Sequence, residues 1–347
     1  MPVPPARLDD FIAALPKVEL HVHLEGSMRP AVLLALADKH RISDLQRSLE
    51  EIRALYEFRD LAHFIETYRS AVRVLRDEED FAALAADVLR SLAAQNVRHA
   101  EINVSLGEHL RRGIPAEVVF AGLEGGRAQV EAEHDLAVRW VADFAGDRGP
   151  EFGESTLDGV LAHGPPSALG LSVGGVEVPR GPFAEVFARA RAAGLRSFPH
   201  AGETGGPEHV WSAVRELGAD RIGHGIASVR DPELVEHLRD RQIPLDVSPT
   251  SNLRTRAVAS VAEHPLPRML DEGLLVTLNS DDPPMFHTDL TGEYRAAART
   301  GLDPAALAGL AGNGVRASFL EPARKTALLA EIEAVFRDHE ATPGSAR

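Results

Sequence analysis

Short apolar runs alternate along the chain with stretches in which apolar residues recur every three or four positions. The runs are 18–25, 97–106, 138–146, 168–175, 195–203, 221–226, 243–252 and 275–282. Bounded by polar and glycine-containing segments, they read as buried strands. Between them, 81–96, 183–194 and 232–241 carry the helical period. The acidic stretch ahead of Phe81 and the glycine at 194 are helix start and stop signals. Eight strands alternating with helices fit either a doubly wound sheet or a (β/α)8 barrel.

Polar residues decide between the two. They gather at the carboxyl ends of at least five runs: His21 and His23, His200 and Glu203, His224, Ser248 and Asn252, and Asp281 and Asp282. Barrel enzymes place their chemistry at that rim, whereas a doubly wound sheet collects it at one switch point. The expected fold is α/β, a TIM-type (β/α)8 barrel. Residues 26–96 are too long for one strand-to-helix unit. They read as the first helix plus an extra helical insertion capping the barrel mouth, and helices also follow the last strand. A single domain is expected over 10–340, with 341–347 a frayed tail.

Composition narrows the chemistry. There is no cysteine, so disulfides, thiolate metal sites and a cysteine nucleophile are excluded, and any metal must take His, Asp or Glu. A net charge of −15 argues against nucleic acid as a partner. No apolar run approaches the ~18 residues that span a membrane, and the N-terminus lacks a signal-peptide pattern. No membrane partner is expected, and the cytoplasm is the default location. Nothing readable sets the oligomeric state.

His21 and His23 lie two apart in a strand, so they point to one side. Two imidazoles together in a core are either hydrogen-bonded neighbours or share a metal. In a closed barrel His200, His224 and Asp281 converge on the same axis. Three histidines and one aspartate make a complete shell for one Zn2+ per chain, with other divalent ions also compatible. Such an ion lowers the pKa of a bound water toward ~7. Glu203 then reads as a general acid, or as a cap for a helix starting near Pro207. His224 reads as a group orienting the attacking water, or as a turn residue. Asp282 reads as a proton acceptor or substrate ligand, or as an N-cap. Gly174 and Gly175 end a strand where exposed backbone can read a purine edge, or simply turn the chain. Phe58, Phe64 and Tyr68, within a candidate lid at 50–75, either line its inner face or pack between helices.

Together "LPKVELHVHLEGS", "HAGE", "IGHG", "SPTSN" and "LNSDDPPMF" resemble, in this order, the adenosine deaminase family of the amidohydrolase superfamily, over about residues 10–330. The resemblance implies a barrel, one zinc, and hydrolytic removal of a purine 6-amino group. It implies His21, His23, His200 and Asp281 as zinc ligands, and Glu203 as the acid protonating the purine ring. His224 and Asp282 would position the attacking water, and the Gly175 amide would meet the purine. "GGVE" departs from the family's Gly-Asp-Glu. Glu25 stands where adenosine-specific members carry Asp, and is expected at the substrate. Within the family the likeness is greatest to bacterial aminodeoxyfutalosine deaminases of the futalosine route to menaquinone, with adenosine or adenine deamination the alternative. A 6-aminopurine nucleoside extended by a benzoate-bearing group would need a cation at the mouth. Arg180 is the expected one, with Arg254 or Arg256 next. Amide or phosphoester hydrolysis is a second enzymatic reading, but no lysine stands at a carboxyl strand end to bridge two metals. A non-catalytic scaffold is a third reading, and the intact ligand set argues against it.

Overall fold

The computed structural model describes residues 5–45 and 47–341. Five strands pair in parallel in the order β1 (Lys17–His23), β2 (Val97–Val104), β3 (Ala137–Ala145), β4 (Ala168–Gly174) and β5 (Arg196–Ser197). Four more follow, also parallel: β6 (His200–Ala201), β7 (Ile222–His224), β8 (Leu245–Val247) and β9 (Val276–Leu278). Strands β5 and β6 are two halves of one run, 195–203. Pro199 has no N–H to give and interrupts the ladder, so β5 pairs back to β4 and β6 pairs forward to β7.

The circle closes at the other seam. Val22 bridges Asp281 in parallel; the His23 N–H donates to the Asp281 carbonyl at 2.8 Å, and the Asp281 N–H to the His21 carbonyl at 2.9 Å. Eight strand positions thus form the expected barrel. This seam also sets His21, His23 and Asp281 side by side.

The helices follow the sequence pattern closely. Helix Glu78–Ala94 begins with a reciprocal capping box between Asp77 and Asp80. Helix Pro232–Arg241 starts under an Asp231 cap, with proline at its first position. The insertion between β1 and β2 contains helices Pro30–Lys39, Leu49–Leu55 and Leu61–Ala71. After β9, helix Pro304–Ala317 packs on β1 and β9, and Pro322–Ala341 packs on it in turn. Of the expected tail only Ala341 is described, and it ends that last helix.

One segment differs from its sequence reading. The run 243–252 is strand only over Leu245–Val247; Pro249–Arg254 is a short helix. Pro249 sits at its first helical position, where a missing N–H is harmless. Ser251 and Asn252 therefore belong to a helix lying across the barrel end, not to a strand tip.

The barrel floor is charged. Arg221 is buried and its guanidinium reaches Glu101 on β2 (2.8 Å), Asp246 on β8 (2.5 Å) and the Leu20 carbonyl on β1 (3.1 Å). It also stacks over Phe198, 4.4 Å from the ring centre. Glu101 takes a further bond from His99 at 3.0 Å. A fully paired buried arginine is tolerated in this way.

Candidate active site

The carboxyl ends of the strands open into a cavity of about 690 Å³, including its mouth. His23, His200, Glu203, His224, Asp281 and Asp282 line its base. Phe64, Ile65 and Tyr68 of helix Leu61–Ala71, with Phe144 and Phe286, form apolar walls. Phe64 packs against Phe286 with ring centres 4.8 Å apart. Phe58 stands behind both, 5.2 Å from Phe64 and 5.7 Å from Phe286. The insertion roofs the site, with Phe64 and Tyr68 on its inner face and Phe58 packing behind them.

His21, His23, His200 and Asp281 each offer one ligand atom, all lying within 4.8 Å of one another. Asp281 Oδ1 is 3.4 Å from Nε2 of both His21 and His23, and His23 Nε2 is 3.2 Å from His200 Nε2. Burial pushes His23 down to about 4. Burial and the crowded imidazoles hold His200 well below the usual range. Burial opposes charge on His21 too, but Asp281 and other carboxylates outweigh it and raise its pKa. Burial also opposes the charge on Asp281, yet His21, His224 and His23 keep it ionised well below the usual carboxylate range. His21 Nε2 is buried without a hydrogen-bond partner. Lone pairs converging beside a carboxylate, one of them otherwise orphaned, suit a divalent cation.

Two of the site's residues hold strained backbone. His224 (φ 63°) and Asp281 (φ 64°) both occupy the left-handed region, which non-glycine residues hold only when the surroundings compel it. Short helix Pro249–Arg254 supplies much of that compulsion. Ser251 Oγ donates to Asp281 Oδ2 at 2.7 Å, Asn252 Nδ2 bonds His224 Nδ1 at 3.1 Å, and Thr255 Oγ1 lies 3.0 Å from Glu203 Oε1. The Leu266 N–H donates to His264 Nδ1, so His264 Nε2 carries the proton it gives to Asn252 Oδ1 at 3.2 Å. The Asn252 amide is thereby oriented to donate to His224 Nδ1. Neutral His224 then carries its proton on Nε2, which faces Glu203 Oε2 at 3.6 Å and Asp281 Oδ2 at 3.8 Å.

Glu203 is buried, and burial with the Asp281 charge lifts its pKa to about 8. Thr255 has one hydroxyl proton and two neighbours, the Ser251 carbonyl at 2.9 Å and Glu203. A protonated Glu203 satisfies both contacts. Burial and the charge of Asp281 also push Asp282 well up, and its Oδ1 has no partner. Gly26 lies against it: a Cβ there would sit 1.6 Å from that oxygen. Gly175, at φ +74°, turns the chain out of β4 at the cavity wall, as the sequence suggests.

Of the residues expected on the substrate side, Gly175 lines the cavity, and Glu25, Arg180, Arg254 and Arg256 do not. Glu25 is 0% exposed and does not line the cavity. Its carboxylate is taken by the Ser105 N–H (3.1 Å), His109 Nε2 (2.7 Å) and the Tyr68 hydroxyl (3.2 Å). It anchors wall residues, Tyr68 among them. Arg180 is 1% exposed and lies behind the wall, its Nε donating to the His200 carbonyl at 2.9 Å. Arg256 is exposed away from the cavity, and Arg254 is engaged by Glu57 and the Tyr56 carbonyl. The cavity's own arginine is Arg69, which pairs with Asp147 at 2.8 Å across the mouth.

Two further groups escape a sequence reading. Asp143, at the end of β3, sets Oδ2 3.4 Å from His23 Nδ1 and leaves Oδ1 unpartnered at the cavity. Burial raises its pKa to about 8. Glu177 is the acid of "GGVE". It accepts the N–H groups of Gly202, Glu203, Thr204 and Gly205 at 2.6–3.1 Å. Burial opposes its charge, but these amides keep its pKa below the usual value. It thus clamps the loop that presents Glu203. A cue was available: Glu177 stands three residues beyond Gly174, the last residue of β4, and matches the acid of the Gly-Asp-Glu pattern.

The sequence profile of the adenosine deaminase family matches residues 16–335. The chain belongs to the adenosine deaminase family. Aminodeoxyfutalosine deaminase of Streptomyces avermitilis is 46% identical over 333 residues, covering 94% of this chain and 92% of the relative. Among solved structures, adenine deaminase of Arthrobacter aurescens superposes with a TM-score of 0.90 at 36% identity, covering 93% of this chain and all of that one. A Burkholderia ambifaria amidohydrolase with bound zinc also reaches 0.90, at 28% identity, covering 99% and 97%. The chain is therefore a barrel deaminase of the hydrolytic class. No helix among the described residues is long and apolar enough to cross a membrane.

Proposed function

We propose that the chain is a zinc-dependent purine nucleoside deaminase whose substrate is aminodeoxyfutalosine, an adenine nucleoside extended at its 5′ side by a carboxylate-bearing group. The observation that carries this reading is the quartet His21, His23, His200 and Asp281 set at the base of one cavity beside the carboxyl of Glu203, whose pKa burial raises. The 46% identity to the Streptomyces avermitilis enzyme supports the substrate.

His21, His23, His200 and Asp281 would hold the metal, which when bound supplies a Lewis acid and ionises a water. The rest is done by the chain. The roof excludes bulk solvent from the base of the cavity. The Gly175 amide meets the purine edge and fixes the ring in plane. Glu203 holds a proton at its carboxyl and delivers it to N1 of the ring. His224 and Asp282 orient the water that adds to C6. Water is added, ammonia leaves, and the 6-oxo purine remains. Arg69, at the mouth and paired there with Asp147, is the cation that would turn to the substrate carboxylate, because a guanidinium pairs bidentately with that group.

The likeness to the Arthrobacter aurescens adenine deaminase favours a second reading, in which the free base is the substrate. Ammonia release from adenine, adenosine and aminodeoxyfutalosine, with zinc analysis of the purified protein, separates the two. The proposal expects the extended nucleoside to have the highest kcat/KM. It also expects Arg69→Met to lower that value about tenfold while sparing adenosine. Preference for adenine overturns it.

A further inference from the structure

Helix Pro249–Arg254 faces two ways. Toward the barrel, Ser251, Asn252 and the capping Thr255 hold Asp281, His224 and Glu203 by the three side-chain contacts given above. The helix is fixed there from its first turn as well, where the Thr250 N–H donates to Glu293 Oε2 at 3.0 Å. Toward the roof, Arg254 reaches the segment that joins helices Leu49–Leu55 and Leu61–Ala71. Its Nη2 donates to the Tyr56 carbonyl at 3.3 Å and to Glu57 Oε2 at 3.1 Å. Its guanidinium carbon lies 5.4 Å from the centre of the Phe58 ring. The second Glu57 oxygen takes His287 Nε2 at 2.8 Å, just beyond the short helix Pro283–Phe286 that begins after Asp282.

The solvent-facing Glu57 pair is worth little by itself. The arrangement matters because of what is attached at each end. Phe58 is the base on which Phe64 and Phe286 rest, and those two rings are cavity wall. Asp281, His224 and Glu203 are the groups that must be aligned within a fraction of an ångström for reaction. One six-residue helix therefore touches the apolar wall through Arg254 and three reacting groups through the residues around it.

We propose that Arg254 is a positioning residue that fastens the roof to the helix aligning Glu203, His224 and Asp281, so that closing the roof and aligning those groups are one event. Arg254 itself touches neither substrate nor metal. Its effect runs through Tyr56, Glu57 and Phe58 on one side and through its own helix on the other. The idea rests on the deaminase reading only for its kinetic arm.

The test uses the full-length, metal-loaded protein with Arg254→Met, Arg254→Lys and Glu57→Gln, and the double variant Glu57→Gln/Arg254→Met. Amide hydrogen exchange is followed over residues 52–68 and 249–256, and kcat and KM are measured on the best substrate of the panel. For Arg254→Met, faster exchange over 52–68 is expected, with kcat lower by about tenfold and metal content unchanged. Arg254→Lys, which keeps a cation and donors, restores most of kcat. The double variant loses less than the product of the single losses, the signature of coupled groups. If Arg254→Met is poorly folded, Glu57→Gln reports from the roof side with the same direction and a smaller change. Faster roof exchange at unaltered kcat overturns the proposal, as does a kcat loss without faster roof exchange. If the wild type deaminates no 6-aminopurine, the functional reading fails; the spread of faster exchange from 52–68 into 249–256 still decides the coupling.

Discussion

Strands β1 to β4 run seven to nine residues and pair in long parallel ladders, whereas β6 to β9 run two or three. In the long half the backbone largely holds itself, and side chains are free to pack. In the short half the chain leaves the ladder early, passes through left-handed His224 and Asp281, and is held by Ser251, Asn252, Thr255 and Glu177. Regular pairing is given up where reacting groups must be aimed. The short half supplies His200, Glu203, His224, Asp281 and Asp282, while the long half adds His21 and His23 at the seam between the two. Perturbing a cavity-facing side chain in the short half should remove function, and perturbing an outward-facing one in the long half should cost packing alone.

The largest break expected is at the seam. Asp281→Ala removes the carboxylate between His21 and His23 and the acceptor for Ser251. Activity should fall on the order of 10⁴-fold, the scale of several kcal/mol of lost charge stabilisation. Metal content should drop with it, measured by elemental analysis of the purified variant. Full metal content with near-normal turnover would show that the quartet is not the cation site.

Glu203→Gln comes next. It keeps the shape and the Thr255 contact but cannot deliver a proton, so kcat should fall about 10³-fold with metal retained. The wild type should show the corresponding pH dependence. A carboxyl raised to about 8 keeps its proton at neutral pH and loses it above, so kcat/KM should decline as pH rises through that value. The glutamine variant should lack this alkaline limb. A limb that survives the substitution belongs to another group.

Arg221→Met tests the joint between the halves. Arg221 binds Glu101 in the long half and Asp246 in the short half from beneath the site. Its removal leaves two buried carboxylates without their cation, which costs about 3–5 kcal/mol of stability. The urea midpoint reads this directly. Enzyme still folded in the cold should keep most of its kcat, because Arg221 holds the floor and touches no reacting group.

The same contrast explains what the sequence reveals. The first four strands are long apolar runs, and their observed bounds lie within two residues of the pattern. The histidine and aspartate motifs were legible because each sits at a strand end and the barrel's closure does the rest. The run 243–252 was not, because an apolar stretch of that length is the same string whether Pro249 ends a strand or starts a helix. Partners such as Thr255 for Glu203, 52 positions apart, or Asp143 for His23, depend on the barrel's register, which no local pattern encodes. Arginines were the hardest. Nothing local shows that Arg180 is buried behind the wall and Arg254 paired with Glu57 while Arg69 reaches the cavity.

The smallest effect sharpens the comparison most, because it asks whether the long half is indifferent to chemistry even next to the metal ligands. Ile102 pairs in register with Val22, which stands between His21 and His23. Side chains alternate along a strand, so Val22 points away from the cavity when its neighbours point in, and Ile102 across the ladder shares its face. Ile102 is fully buried there. Ile102→Val removes one methylene and should cost about 1 kcal/mol of stability, read as a small fall in the denaturation midpoint. The ladder bonds on either side of it are backbone and remain, so His21 and His23 keep their places and kcat should be unchanged. A measurable loss of kcat or of metal would mean that the ligand geometry depends on outward packing through β1, and that the two halves are less separable than their construction suggests.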